Sequence, residues 1–198
     1  QQQCQRRLTA AETREQSLQK MQAAYEGFGI GIKTVLKAPE YWRENIIGVA
    51  AELLQVEAKY VTALETALGE GAQNLVTVDA ATAKSAIAYL KANNAGRATF
   101  LPLDIVQPRS LSVEEERLAT LPGVCGYAVD LVKYDKPAEN AIRFLLGRVL
   151  IAENIDAALA AAKAGKFRIR VVTLEGDVVN AGGSMTGGSR KQKEGYLS

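Results

Sequence analysis

Apolar residues recur in short, evenly spaced groups through the middle of the chain, and both ends are polar. The stretch IIGVAAELL (46–54) is apolar enough for a buried strand. KYVTALETALG (59–69) spaces its apolar residues three and four apart, as an amphipathic helix does, and Gly69 stands where such a helix ends. NLVTVD (74–79) reads as a strand, AATAKSAIAYLKANNAG (80–96) as a helix ending at Gly96, and RATFLPL (97–103) as another strand. QPRSLSVEEERLATLPG (107–123) breaks the rhythm with two prolines and three consecutive glutamates, which predicts a linker with about one helical turn.

Beyond the linker the pattern returns. ALETALG is answered by AIRFLLG (141–147), VTVD by VLIAEN, SAIAYLK by AALAAAK, and RATFLPLD by RIRVVTLEGD. Each half therefore runs helix, strand, helix, strand, an alternation that predicts α/β layers with a partly parallel sheet. Alanine-rich helices resemble one another readily, so chance similarity is the competing explanation of the repeat. The first 26 residues lack Pro and Gly, and Leu8, Ala11, Leu18 and Tyr25 fall on a sparse heptad seam once Glu15 and Gln22 fill the gaps. A helix so polar needs a partner. Ser189 is a suitable N-cap for one, with Leu197 eight residues on. The resulting division is 1–26 an N-terminal stub, 27–106 a first subdomain, 107–122 the linker, 123–188 a second subdomain, and 189–198 the start of a C-terminal stub.

Composition narrows the chemistry. The chain has no histidine, which removes the commonest general base and zinc ligand, and no metal or other cofactor is expected. Cys4 and Cys125 lie in unlike contexts, a polar helix and an apolar run, so a disulfide is unsupported and a reducing cytoplasmic setting is expected. Cys125 is expected to be a small buried apolar residue. No apolar run approaches membrane-spanning length. A net charge of +2 is too small to indicate nucleic-acid binding without local clusters. Residue 1 is Gln and the opening residues read as mid-helix, so a fragment of a longer protein is expected.

The densest cue is AGGSMTGGS (181–189), in which two glycine doublets enclose Ser184, Met185 and Thr186. A phosphate-cradling loop needs lysine after the second glycine of G-x-x-x-x-G-K-[ST], but Ser189 follows Gly188. A plain turn needs one such glycine, and four is an excess. Bare backbone that lets another chain lie close accounts for the excess, with Gly182, Gly183, Gly187 and Gly188 as an interface floor.

NNAGRATFLPLD, RFLLGRVLIAENIDAALAAAK and RIRVVTLEGDVVNAGGSMTGGS, in that order, resemble the hinge domain of SMC (structural maintenance of chromosomes) proteins, over about Gly27 to Ser189. The bacterial chromosome-condensation type, which forms homodimers, is the most similar. The resemblance implies two similar α/β subdomains flanked by short antiparallel coiled-coil stubs. It also implies a ring-shaped dimer in which each subdomain meets the opposite one of its partner, with the glycine doublets at that contact. The family's ATPase lies in head domains at the far ends of the arms, so no catalysis is expected from this chain, and nucleoid association in the cytoplasm is.

The resemblance further implies DNA binding near the coiled-coil junction, preferring single strands in several members. Lys33 and Lys37 after the first arm, and Arg190, Lys191 and Lys193 on the second, are the candidate phosphate contacts. A merely solvated charge run is the competing reading. The modest net charge favours weak, sequence-nonspecific binding. Three functions thus compete: a homodimerisation hinge, a nucleic-acid-binding domain whose dimerisation is secondary, and a small-molecule α/β enzyme. The last is disfavoured by the absent histidine. YWRENI (41–46) has no counterpart in the resemblance, leaving Trp42 as core or surface.

Overall fold

A computed structural model describes residues 28–189 together with Gln5 and Leu197. Both stubs expected from the sequence therefore lie almost wholly outside the described residues. After helix α1 (Ile30–Leu36), the first half runs β1 (Ile46–Val49), β2 (Gln55–Val56), α2 (Val61–Leu68), β3 (Leu75–Thr77), α3 (Ala80–Ala92) and β4 (Phe100–Pro102). The linker contributes α4 (Val113–Arg117). The second half repeats the order: β5 (Val124–Tyr127), β6 (Val132–Lys133), α5 (Glu139–Leu146), β7 (Val149–Ala152), α6 (Ile155–Ala164) and β8 (Arg170–Thr173). It then adds β9 (Val178–Val179) and β10 (Met185–Thr186).

The correspondence reaches further toward the N-terminus than the repeat visible in sequence. The apolar stretch 46–54 is a strand only as far as Val49 and then turns through a 3-10 segment, Ala50–Leu53; its counterpart does the same at Ala128–Leu131. Both leading strands carry a bulge, with Gly48 at φ +155° in β1 and Gly126 at φ +135° in β5. A bulged residue of this kind favours glycine because a Cβ is strained at positive φ. In each half the leading strand runs antiparallel to the next long strand, which pairs in parallel with the last: β1 with β3 and β3 with β4, β5 with β7 and β7 with β8. The second helix of each half opens on a matching cap. Asp79 Oδ1 accepts from the Thr82 N–H at 2.8 Å, and Asn154 Oδ1 from the Ala157 N–H at 2.9 Å.

The halves are not separate bodies. β2 and β6 pair antiparallel across the middle, Gln55 opposite Lys133 and Val56 opposite Val132. Helix α2 carries Ala63, Leu64, Ala67 and Leu68 into the core of the second half, among Leu150, Ile151, Val171 and Val172. Ala141 of α5 in turn closes over Val76 and Leu101 of the first sheet, with Leu145 beside it. Helices α2 and α5 thus both pack across the boundary between the halves, α5 keeping Ile142 and Leu146 in the main core. On its far face the first sheet meets α1 and α3 through Ile32, Val35, Leu75, Ala86 and Leu90. Trp42 belongs to this core, only 4% exposed and edge-on to Tyr89 with ring centroids 5.6 Å apart.

The linker is fastened to the second half. Ser112 and Glu115 form a reciprocal capping box at the start of α4. Glu115 then takes a forked bond from Arg148, at 2.7 and 3.3 Å, while Arg148 also donates to the Ser110 carbonyl at 3.1 Å. The Tyr127 hydroxyl donates to the Glu115 carbonyl, and burial pushes its pKa up to about 12. Cys125 is only partly buried against the main core, less than its apolar context suggested; partial burial, then the nearby Glu153, raises its thiol pKa.

Candidate functional site

The glycine stretch begins where β8 turns back on itself. The Thr173 hydroxyl accepts from the Asp177 N–H at 3.0 Å, the Thr173 N–H donates to the Asp177 carbonyl at 2.8 Å, and Gly176 takes φ +89° between them. This is a tight hairpin of the kind E-G-D predicts between apolar runs. It sends β9 back along β8, Val171 opposite Val179 and Val172 opposite Val178, with both β9 side chains buried.

The chain then reverses again. The Asn180 N–H donates to the Ser184 carbonyl at 2.7 Å and the Gly183 N–H to the Asn180 carbonyl at 3.0 Å, while the Gly182 N–H donates to the Phe167 carbonyl at 2.8 Å. Met185 and Thr186 return opposite Val179 and Val178 as β10, the last strand of the five-stranded order β10-β9-β8-β7-β5. Both β10 residues are exposed, Met185 to 52%. The Gly188 N–H then donates to Asp177 Oδ1 at 3.2 Å, closing the strand onto the first hairpin. No β-alternation long enough to announce a strand exists between the doublets, so this element was invisible in the sequence.

The doublets have reasons inside their own chain. Gly182, Gly183 and Gly188 hold φ +89°, +101° and +128°, which side chains tolerate poorly. Gly187 lies against a carboxylate: a Cβ there would come within 2.5 Å of Asp177 Oδ1. The number of glycines is therefore set by the two reversals, and their excess no longer argues by itself for a partner. What remains open is the space above two of them, since a Cβ on Gly182 or Gly188 would meet nothing within 4 Å.

The basic candidates divide. Lys33 lies in α1 and is partly exposed, and Lys37 at its C-terminal cap is exposed; neither forms an ion pair with a described residue. Arg190, Lys191 and Lys193 lie outside the described residues, so the convergence of the two groups is undescribed. The described residues contain no group of three or more His, Cys, Asp or Glu side chains placed to hold a metal, and no helix long and apolar enough to cross a membrane.

Arg170, at the start of β8, escaped the sequence reading altogether. Its guanidinium reaches α2, donating to the Ala67 carbonyl at 2.9 Å and the Thr66 carbonyl at 3.2 Å, and burial lowers its pKa from the usual arginine value. An arginine within an apolar strand pattern, RIRVVT, was the signal available.

Comparison with known proteins points one way. Residues 43–162 match the family described as SMC proteins Flexible Hinge Domain. The chain is 47% identical over 188 residues to the Chromosome partition protein Smc of Bacillus subtilis (strain 168), a match covering 94% of this chain and 16% of that protein. It is 42% identical over 195 residues to the protein of that name from Desulfitobacterium hafniense (strain Y51), covering 97% and 16%. The chain thus spans a small part of the length of these relatives. Among solved structures it resembles an asymmetric dimer of the Geobacillus stearothermophilus SMC hinge domain, with TM-score 0.84 and 43% identity over 96% of this chain and 76% of that one. It also resembles the Pyrococcus furiosus SMC hinge domain, with TM-score 0.66 and 30% identity, covering 90% and 86%.

Proposed function

The chain belongs to the SMC Flexible Hinge Domain family, and from that premise we propose that it is the homodimerisation hinge of a chromosome-partition protein, joining two coiled-coil arms. The carrying observation is a mismatch between the sheets. The first ends at β4, whereas the second continues past the corresponding β8 into β9 and the exposed β10. Each copy therefore presents two different terminal strands, and an unpaired strand edge invites another chain. Laying β10 of each copy along β4 of the other uses both edges twice and closes under a two-fold axis. In this arrangement Gly182, Gly183, Gly187 and Gly188 frame the contact strand, and Gly182 and Gly188 leave room for the partner. The test is sedimentation equilibrium of the chain beside Met185→Asp/Thr186→Asp. Carboxylates desolvated on the contact strand are expected to weaken the dimer at least tenfold, about 1.4 kcal/mol, without loss of circular dichroism. A wild-type monomer at micromolar concentration, or a variant as dimeric as its parent, overturns the reading.

We further propose a secondary contribution to DNA binding at the coiled-coil junction, weak, sequence-nonspecific and with a preference for single strands. Lys33 in α1 and Lys37 at its C-terminal cap, four residues apart and without an ion pair among the described residues, support it. Arg190, Lys191 and Lys193 are the matching candidates on the other arm. On this reading the whole protein works at the nucleoid, in the cytoplasm, and its ATP hydrolysis belongs to head domains outside the hinge.

A further inference from the structure

Arg170 has more donors than the fold uses. A guanidinium offers five N–H groups, and the Thr66 and Ala67 carbonyls take one from each terminal nitrogen. Among the described residues no carboxylate forms an ion pair with it. Arg170 borders a cavity of about 260 Å³ beside the glycine loop, lined also by Thr66, Asn180, Thr186, Gly187 and Ser189. Among the described residues this lining includes the Thr186 and Ser189 hydroxyls and the Asn180 amide and no acidic side chain, while the Thr66 hydroxyl donates to the Thr62 carbonyl. The helix-end carbonyls of α2 take part of the Arg170 charge, and the Asp177 carboxylate against the cavity's glycines accepts from the Gly188 N–H and forms no ion pair with Arg170, so the guanidinium keeps donors for a further oxyanion. The fork of a guanidinium matches the paired oxygens of a carboxylate or phosphate.

We infer that the Arg170 cavity is an oxyanion site, taking a free phosphate group or a carboxylate side chain of a second copy; only the second source rests on the dimer reading. The cavity adjoins β10, so either occupant would also hold the contact strand in place. Its position differs from that of Lys33 and Lys37, which lie on α1 on the far side of the first sheet.

The experiment titrates the full chain with inorganic phosphate at constant ionic strength, against chloride, reading backbone amide and Arg170 Nε–H shifts by nuclear magnetic resonance. A free-anion site gives saturable shifts at Arg170, Gly187 and Gly188, and Arg170→Gln weakens the titration at least about tenfold. Because Arg170 also holds α2, Thr186→Val serves as a second variant that leaves those carbonyl bonds intact and still weakens phosphate binding. If phosphate does not titrate but Arg170→Gln or Arg170→Lys raises the dimer dissociation constant about tenfold with unchanged circular dichroism, the oxyanion is the second copy's carboxylate. Absence of both effects overturns the site. A monomeric wild-type chain that still binds phosphate overturns the dimer reading and leaves the site standing.

Discussion

In the first half of the molecule the sheet stops at β4, whereas in the second half the strand in the matching position, β8, is followed by β9 and β10. From the leading strand on, the main elements before that point correspond: the bulged leading strand, the 3-10 turn, the short strand that crosses to the other half, the helix that packs across the middle and the capped second helix. The divergence follows from what comes next in the chain. After β4 the polypeptide leaves for the linker; after β8 the sequence LEGD turns it straight back. An interlocked core is thus built from two parts of similar element order. The strands added at one end leave two unlike edges, which a two-fold axis can pair twice, β10 of each copy with β4 of the other.

The packing of helices across the middle is the first part of this comparison to break, and the largest effect is expected there. Leu64 of α2 is fully buried in the core of the second half. Leu64→Ala is expected to cost about 2–5 kcal/mol and to lower hydrogen-exchange protection of β7 and β8 along with that of α2. Urea denaturation should keep a single transition. Two separate transitions, with β7 and β8 unaffected, would show that the halves are independent.

The unlike ends can be separated from the demands of the loop itself. Gly182→Ala and Gly188→Ala force side chains into positive φ and are each expected to lower thermal stability by about 1 kcal/mol, whatever the partner does. The dimer is therefore better probed at Met185 and Thr186, where the backbone is ordinary strand. Gly→Ala variants as stable as the parent would show that the loop adopts another conformation.

The second half fastens the linker through Glu115, and pH should expose that contact. Partial burial alone would raise the Glu115 carboxyl, but hydrogen bonds from Arg148 and Ser112 outweigh it and hold its pKa below the ordinary value of 4.5. A carboxylate with a depressed folded-state pKa contributes its stability above the unfolded value; that contribution is lost as the pH falls from 4.5 through the folded value. Glu115→Gln should accordingly flatten the acid limb of the stability curve and cost about 1 kcal/mol at neutral pH. An unchanged acid limb would show that the Arg148 pair contributes nothing.

The smallest expected effect concerns the first half. Lys33→Glu/Lys37→Glu should leave the dimer intact and make single-stranded DNA binding less sensitive to salt. The slope should fall by roughly 0.7 log units for each phosphate that a lysine no longer neutralises. Parallel anisotropy titrations of parent and variant across a salt series would mark these lysines as merely solvated.

Much of the architecture could be read without coordinates because it is encoded locally. The three-to-four spacing in KYVTALETALG and the glycine at position 69 each act within one turn of backbone. The repeat from Ala63 to Asp104 and again from Ala141 to Asp177 was legible for the same reason, and the structure gives the two segments the same element order. The glycine doublets drew notice as an anomaly, but their individual causes are tertiary: positive φ at Gly182, Gly183 and Gly188, and the Asp177 carboxylate against Gly187.

What sequence could not decide is which surfaces meet. An amphipathic helix has one apolar face whether it covers its own sheet or a neighbour's, so α2 and α5 gave no sign that they pack across the middle. Strand pairing is non-local, and two residues between glycines carry no periodicity, so β10 was hidden until β9 lay beside it. Arg170 is one residue in a strand pattern until the fold brings it 2.9 Å from a carbonyl 103 positions earlier. Short-range preferences set the elements; long-range packing alone chose their partners, because burial and hydrogen-bond pairing depend on neighbours that the local sequence does not contain.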